Sequence, residues 1–211
     1  FSELYHVPED LEQYLLKRRT HTTYVAMIDW DRYDLSYLPQ CDGKSLDAIR
    51  VVFPHGKHKE GIAVGTEIAK KGYQVYFQAA NTLAYSEEDL IDLAREMNQV
   101  HPVAVSVVDT FGAMYQEDLE RIVQVLDCEL DAGIKLGFHS HNNQQLSFAL
   151  TMHFVELLKA SKRGCIVDSS LCGMGRGAGN ATTELVANYL NRKQHGDYDM
   201  NQIIITMLLT V

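Results

Sequence analysis

The sequence predicts an α/β protein, a (β/α)8 TIM barrel in a chain that lacks the first two βα units. Three observations predict this fold. Short apolar runs recur about every 30 residues, helical segments lie between them, and polar residues follow nearly every run. Serial βα units imply a parallel sheet that is covered by helices. Six strands are visible where a closed barrel of this type needs eight, so we expect about two units to be missing.

The predicted strands are the β-branched, apolar runs of the chain. They cover residues 22–28, 48–53, 74–79, 103–108, 135–138 and 164–167. An open, doubly wound sheet fits the same alternation, but it concentrates polar residues near one switch point. Here polar residues follow almost every strand, for example Asp29, His55, Asn81, Asp109 and Asp168. All strand ends of a barrel converge on one mouth, so this distribution favours the barrel.

The predicted helices are the segments with apolar residues at helical spacing. They cover residues 59–71, 86–97, 116–131, 145–160 and 183–191, and a further helix is expected at 7–19 before the first strand. Ser86 and Asp89 are spaced as a capping box, and Gly72 and Gly133 are natural helix stops. Because no stretch resembles a linker, we expect one catalytic domain over residues 1–211.

Composition excludes several classes of function. The net charge of −9 argues against a nucleic-acid groove, which needs clustered Lys and Arg. No run approaches the roughly 18 apolar residues that a membrane helix needs, and the segment after Phe1 lacks the layout of a signal peptide. The four cysteines are widely spaced, without a C-x-x-C pair, which favours reduced thiols and a cytoplasmic protein.

The strongest chemical signal is the segment G-F-H-S-H-N-N at 137–143, at the end of a predicted strand. Side chains at i and i+2 share one face of a strand, so His139 and His141 point the same way. Two neutral imidazoles on one face are half of a divalent-metal site. The alternative is that the two rings merely form hydrogen bonds in the barrel mouth.

Two further segments carry chemistry. The loop 168–180 alternates glycines, which lets the backbone approach a ligand and directs N–H groups at an anion. It also fits a dinucleotide fingerprint, but that motif usually follows the first strand of its unit rather than the last. In D-T-F-G-A-M at 109–114, Asp109 and Thr110 could bind substrate or support the metal site, or Thr110 could cap the next helix.

These three segments, in this order and spacing, resemble the last strand ends of the DRE-TIM metallolyases, a family of pyruvate-aldolase-like and HMG-CoA lyase-like enzymes. They are D-T-F-G-A-M, then G-F-H-S-H-N-N, then G-M-G-R-G-A-G-N-x-x-x-E. The resemblance is strongest over residues 104–191. The first segment makes the chain most similar to the 4-hydroxy-2-oxovalerate aldolase-like branch.

The resemblance implies a divalent cation, Mn²⁺ or Mg²⁺ with Zn²⁺ as an alternative, on His139, His141 and an aspartate from the first barrel strand. In some members Asn180 joins the coordination. It implies substrate contacts for Thr110, Asp109 and His139. The family's D-x-x-x-R-D motif, which carries the third ligand and an arginine, is absent, as is the catalytic histidine that follows it. We therefore expect the base and the arginine in the missing N-terminal part, with His55 and Tyr115 as weak substitutes.

The activity that the resemblance implies is cleavage of a 4-hydroxy-2-oxo acid to pyruvate and an aldehyde. Two rivals stay open on the same barrel: a Claisen-type acyltransferase or HMG-CoA lyase-like enzyme, and an inactive metal-binding relative. The expected partner is a small 2-oxo acid rather than nucleic acid or a membrane. The resemblance leaves open a homo-oligomer and an aldehyde dehydrogenase partner.

Overall fold

The described residues form six parallel strands that lie side by side in the order of the chain. The computed structural model describes residues 21–210. The strands are β1 (Val25–Asp29), β2 (Ala48–Phe53), β3 (Gln74–Ala79), β4 (Ala104–Asp109), β5 (Lys135–Ser140) and β6 (Cys165–Val167). The predicted parallel sheet is confirmed, and β2 and β3 have the predicted bounds. The helix expected at 7–19 lies outside the described residues.

Within the described residues, six α-helices accompany the strands. They are α1 (His58–Lys70), α2 (Glu87–Val100), α3 (Gln116–Glu129), α4 (Ser147–Ser161), α5 (Thr183–Lys193) and α6 (Met200–Thr210). The first five match the predicted helices to within a few residues. Helix α6 was not predicted, because its isoleucines and leucines run together without a polar face. The connection from β1 to β2 holds a 3-10 turn, Leu35–Tyr37, in place of an α-helix.

Local capping sets where α2 begins. The Ser86 side chain accepts a hydrogen bond from the Asp89 amide, and the Asp89 carboxylate accepts one from the Ser86 amide at 2.9 Å. These reciprocal bonds satisfy backbone donors that a helix start leaves free. The predicted capping box is therefore confirmed. No helix in the described part of the chain is long and apolar enough to cross a membrane.

The core lies between the outer face of the sheet and the helices. Phe53 and Phe77 lie with ring centroids 6.0 Å apart, and Phe138 packs against Phe154 of α4 at 5.4 Å. All four side chains are fully buried. Because strand side chains alternate between faces, burial of these rings turns their sequence neighbours toward the inner face. The inner face is therefore where polar residues of the strands gather.

The sheet is curved strongly enough to bring distant strands together. The Arg50 Nη1 atom on β2 lies 2.6 Å from the Asp168 Oδ2 atom just after β6. In a flat sheet these strands would be about 19 Å apart, at four spacings of about 4.8 Å. The inner face is therefore concave, as in the wall of a barrel.

Candidate metal centre

The two predicted metal ligands lie together at the carboxyl end of β5. His139 belongs to the strand and His141 follows it by one residue. Their ring centroids are 5.3 Å apart and the ring planes cross at 76°. The preceding residue, Phe138, is buried in the core on the outer face of the sheet. Because side chains alternate along a strand, His139 faces the concave side. The structure thus brings the two imidazoles to one face, as the spacing predicted.

His139 is held by a carboxylate that directly follows the neighbouring strand β6. Its Nδ1 atom lies 3.0 Å from Asp168 Oδ2, which also accepts hydrogen bonds from Arg50 at 2.6 Å and from the Gln78 amide at 3.0 Å. Burial raises the pKa of Asp168. The hydrogen bond from His139 and the charge of Arg50 outweigh that effect and hold the pKa below its usual range. The carboxylate is therefore ionised near neutral pH.

His141 is held by the glycine loop. Its Nδ1 atom lies 3.4 Å from the backbone carbonyl oxygen of Arg176. Burial and the neighbouring His139 lower the pKa of His141, which favours the neutral ring that a metal requires. Among the described residues, neither histidine has a hydrogen-bond partner at Nε2. Both Nε2 atoms are therefore open to a ligand.

Asn180, the third predicted metal ligand, lies beside His141. The two residues form an isolated antiparallel bridge, and the Asn180 Nδ2 atom donates to the Met174 carbonyl at 2.9 Å. Its Oδ1 atom is buried and has no hydrogen-bond partner among the described residues. A buried polar atom without a partner costs free energy unless something binds it. Two imidazoles and an amide oxygen fit a divalent cation.

The carboxylate ligand that the resemblance implies is not found in the described range. Within residues 21–210, no three His, Cys, Asp or Glu side chains cluster in a way that could hold a metal ion. His139, His141 and Asn180 are therefore the candidate ligands within this range. The metal assignment of His139, His141 and Asn180 stays a prediction.

Asp109 and Thr110 are occupied by backbone groups. Both oxygens of the buried Asp109 accept backbone hydrogen bonds, at 2.9 Å from Ala113 and 3.2 Å from Met114. Burial raises the pKa of Asp109, although these two amides oppose the shift. The Thr110 hydroxyl oxygen accepts from the backbone N–H of Asn81 at 2.7 Å. Both residues thus shape the loops of the mouth, and their predicted substrate contacts stay predictions.

The two weak candidates for the base are engaged elsewhere. His55 Nε2 lies 3.0 Å from Asp89 Oδ2, and the ring packs on Tyr85 with centroids 4.6 Å apart. Tyr115 lies at the start of α3 and is 52% exposed. Nothing in these contacts places either residue against the two imidazoles.

Sequence reasoning missed Arg50 and Gln78. Both are polar residues within strands, and each is the sequence neighbour of a buried residue, Val51 for Arg50 and Phe77 for Gln78. That pattern places them on the concave face, which could have been inferred. Their shared partner Asp168 could not, because the contact depends on how far the sheet curves.

Comparison with known proteins points to one family. The family model described as HMGL-like matches residues 56–209. A 4-hydroxy-2-oxovalerate aldolase from Chloroflexus aurantiacus is 39% identical over 105 residues, which is 50% of this chain and 29% of that protein. An oxaloacetate decarboxylase from Mycobacterium tuberculosis is 33% identical over 126 residues, or 59% of this chain and 35% of that protein. The matches thus span about a third of the length of these relatives.

Solved structures share the fold. The N-terminal domain of a putative aldolase from Bacteroides vulgatus superposes with a TM-score of 0.76 at 21% identity, and covers 96% of this chain and 67% of that chain. A hydroxymethylglutaryl-CoA lyase from Pseudomonas aeruginosa gives a TM-score of 0.69 at 18% identity, and covers 89% of this chain and 68% of that one. The predicted fold class, an α/β TIM barrel, is confirmed. The expectation that the chain lacks two βα units of the barrel stays a prediction.

Proposed function

The chain belongs to the HMGL-like family, and we propose that it is a divalent-metal-dependent carbon–carbon lyase acting on a 2-oxo acid. The reaction we propose is cleavage of a 4-hydroxy-2-oxo acid to pyruvate and an aldehyde. One observation carries the proposal: the two imidazoles lie together on one face, and Asn180, whose buried Oδ1 atom has no partner among the described residues, pairs with His141 through a backbone bridge. The aldolase relatives support the choice of substrate.

We assign His139, His141 and Asn180 as ligands of Mn²⁺ or Mg²⁺, with Zn²⁺ as an alternative. The bound cation would supply a Lewis acid for the carboxylate and ketone oxygens of the substrate. The protein's own part is to hold the ligands in place. Asp168 and the Arg176 carbonyl fix the two rings, while Asp109 and Thr110 hold the adjacent loops. We further assign Thr110, Asp109 and His139 to the substrate side of the centre.

A second candidate reaction has its own support. One relative is named oxaloacetate decarboxylase, and oxaloacetate is also a 2-oxo acid that yields pyruvate when a carbon–carbon bond breaks. The same ligand set would serve either reaction, because both substrates present a carboxylate beside a ketone. The acyltransferase and the inactive relative stay as rivals.

One assay separates these functions. The full chain is stripped of metal with a chelator, reloaded with Mn²⁺, and incubated separately with 4-hydroxy-2-oxopentanoate and with oxaloacetate. Pyruvate is followed by NADH oxidation with lactate dehydrogenase, and thiol release is followed with acetyl-CoA and a 2-oxo acid. We expect Mn²⁺-dependent pyruvate from the hydroxy acid. Thiol release would favour the acyltransferase, and bound Mn²⁺ without any turnover would favour the inactive relative.

The compartment and the partners are also proposals. Cys41, Cys128, Cys165 and Cys172 are all free thiols, which suits a reducing, cytoplasmic environment. A homo-oligomer and an aldehyde dehydrogenase that consumes the aldehyde product are compatible with the proposed reaction. Size-exclusion chromatography with light scattering would measure the first of these.

A further inference from the structure

We propose that Asp168 is a positioning residue that fixes His139 in one tautomer, with the ring proton on Nδ1 and the lone pair on Nε2. Assignment of the tautomer depends on contacts within the protein. Its use, which is to present a ready ligand nitrogen to a metal, rests on the proposed function. The two parts can therefore fail separately.

The tautomer follows from the chemistry of the contact. Asp168 Oδ2 lies 3.0 Å from His139 Nδ1 and 2.6 Å from Arg50 Nη1. A carboxylate held by an arginine is ionised, and an ionised carboxylate can only accept hydrogen bonds. The hydrogen bond to His139 therefore requires a proton on Nδ1. A neutral ring then carries its lone pair on Nε2, where it can bind a cation.

The carboxylate itself is anchored from two other strands. Arg50 on β2 and Gln78 on β3 both donate to the Oδ2 atom, and the Asp168 amide donates to the Phe138 carbonyl of β5 at 2.9 Å. The side chains of Arg50 and Asp168 are only 18% and 16% exposed. Backbone and side-chain hydrogen bonds therefore both hold Asp168 beside His139.

The two rings of the centre are controlled in different ways. His141 Nδ1 faces the backbone carbonyl of Arg176, which is also an acceptor but cannot be removed by a side-chain substitution. Asp168 controls the ring of His139 alone. A substitution at Asp168 should therefore change one imidazole and leave the other as an internal reference.

The test uses the full chain, without metal, labelled with ¹⁵N in its histidines. Long-range ¹H–¹⁵N correlation spectra at pH 8 report which ring nitrogen carries the proton, and a His139→Gln variant assigns the signals. The variants are Asp168→Asn and the double variant Arg50→Met/Asp168→Ala, which avoids leaving Arg50 buried without a partner. Asp89→Asn is the matched control, because Asp89 forms a 3.0 Å contact with His55 away from the centre.

We expect His139 of the unmodified chain to be protonated on Nδ1, and the double variant to lose this preference while His141 is unchanged. Mn²⁺ affinity, measured by calorimetry, should fall about 10- to 100-fold in both Asp168 variants and stay constant in Asp89→Asn. A proton on Nε2 of His139 in the unmodified chain would overturn the proposal. An unchanged tautomer in the double variant would also overturn it. This holds even if the double variant loses Mn²⁺ binding, because the loss would then mean that Asp168 is itself a ligand. The predicted tautomer in a chain that binds no Mn²⁺ would uphold the positioning role and overturn the proposed function.

Discussion

Gly112, in the loop after β4, lies directly against the backbone of His141. A Cβ atom at Gly112 would be 2.7 Å from the carbonyl oxygen of His141 and 2.6 Å from the amide nitrogen of Asn143. The φ angle of Gly112 is +58°, in the left-handed region that favours glycine. The loop that begins with Asp109 and Thr110 therefore packs on the segment that carries His139 and His141, and glycine is what permits this close approach.

Gly112→Ala should displace His141 and weaken metal binding. The added methyl group meets backbone atoms on a neighbouring segment, so relief requires that segment to move. We expect Mn²⁺ affinity by calorimetry to fall at least about tenfold, as for a misplaced ligand. Gly43→Ala is the matched control, because Gly43 also has a positive φ, +71°, but open space around it. Equal losses of affinity in both variants would assign the effect to general destabilisation instead.

His139→Ala and His141→Ala should each abolish metal uptake and activity while leaving the barrel folded. Each variant removes one proposed ligand from a site that is partly open to solvent, so the core is not disturbed. Elemental analysis of the reloaded protein measures the metal, and circular dichroism checks the fold. His153→Ala is the control, since His153 pairs with Glu120 between two outer helices. Stoichiometric metal in both variants would contradict the ligand assignment.

The parts of the fold that were predictable depend on local pattern. Apolar runs located β2 and β3 at their observed bounds, and the i, i+2 rule placed both histidines on one face. Contacts set by the curvature of the sheet were not predictable. Arg50 and Asp168 are 118 positions apart in the sequence, and nothing in either local pattern pairs them. The unpartnered Oδ1 atom of Asn180 was not predictable either, because burial of a single atom depends on the conformation of the whole loop.

Gly65→Ala should destabilise the protein even though alanine is the better helix former. Alanine gains about 1 kcal/mol of helix propensity in α1. Its Cβ atom would lie 2.3 Å from the ring of Phe77, which is fully buried and cannot withdraw. Overpacking costs about 1–3 kcal/mol, so we expect a net loss of up to about 2 kcal/mol.

Urea unfolding measures this loss, with Gly133→Ala as the control. No atom lies within 4 Å of a Cβ at Gly133, and its φ is not in the left-handed region. That variant should gain about 0.4–1 kcal/mol, because alanine restricts the unfolded chain. A stabilised Gly65→Ala variant would show that α1 is not packed as closely as described.

The stability that the ionised Asp89 carboxylate contributes should be lost at acid pH. Hydrogen bonds from the Ser86 side chain and backbone, and then from His55, lower the pKa of Asp89 to about 2. A depressed pKa in the folded state means that the contribution is complete above the unfolded value near 4. It is lost progressively as the pH falls from about 4 to about 2. The unfolding free energy of Asp89→Asn should therefore lie below that of the unmodified chain at pH 6, with the gap closing at acid pH.

Urea midpoints at pH 6, 4 and 3 test this dependence. Glu88→Gln is the control, because Glu88 lies in the same first turn of α2. This substitution removes a negative charge but leaves the capping box of Ser86 and Asp89 in place. A gap between Asp89→Asn and the unmodified chain that stays constant over this pH range would contradict the assigned cause.

Arg163→Met should be the most destabilising of these substitutions. The guanidinium group follows α4 and is almost fully buried, with its side chain 8% exposed. It pairs with the Asp127 carboxylate and donates to four backbone carbonyls around the end of α3, those of Asp127, Leu130, Asp131 and Ile134. These carbonyls include groups that a helix end leaves without partners. The arginine thus joins two helices and the start of β5.

Its removal leaves a half-buried carboxylate and several carbonyls unpaired, so we expect a loss of about 2–4 kcal/mol in unfolding free energy. Arg163→Lys should recover a part of this, because an ammonium group cannot reach all of the carbonyls that the planar guanidinium spans. Lys159→Met, in the last turn of α4, controls for the loss of a positive charge. Thermal and urea unfolding of the three variants give the comparison. A loss below about 0.5 kcal/mol in Arg163→Met would mean that water replaces these bonds at no cost.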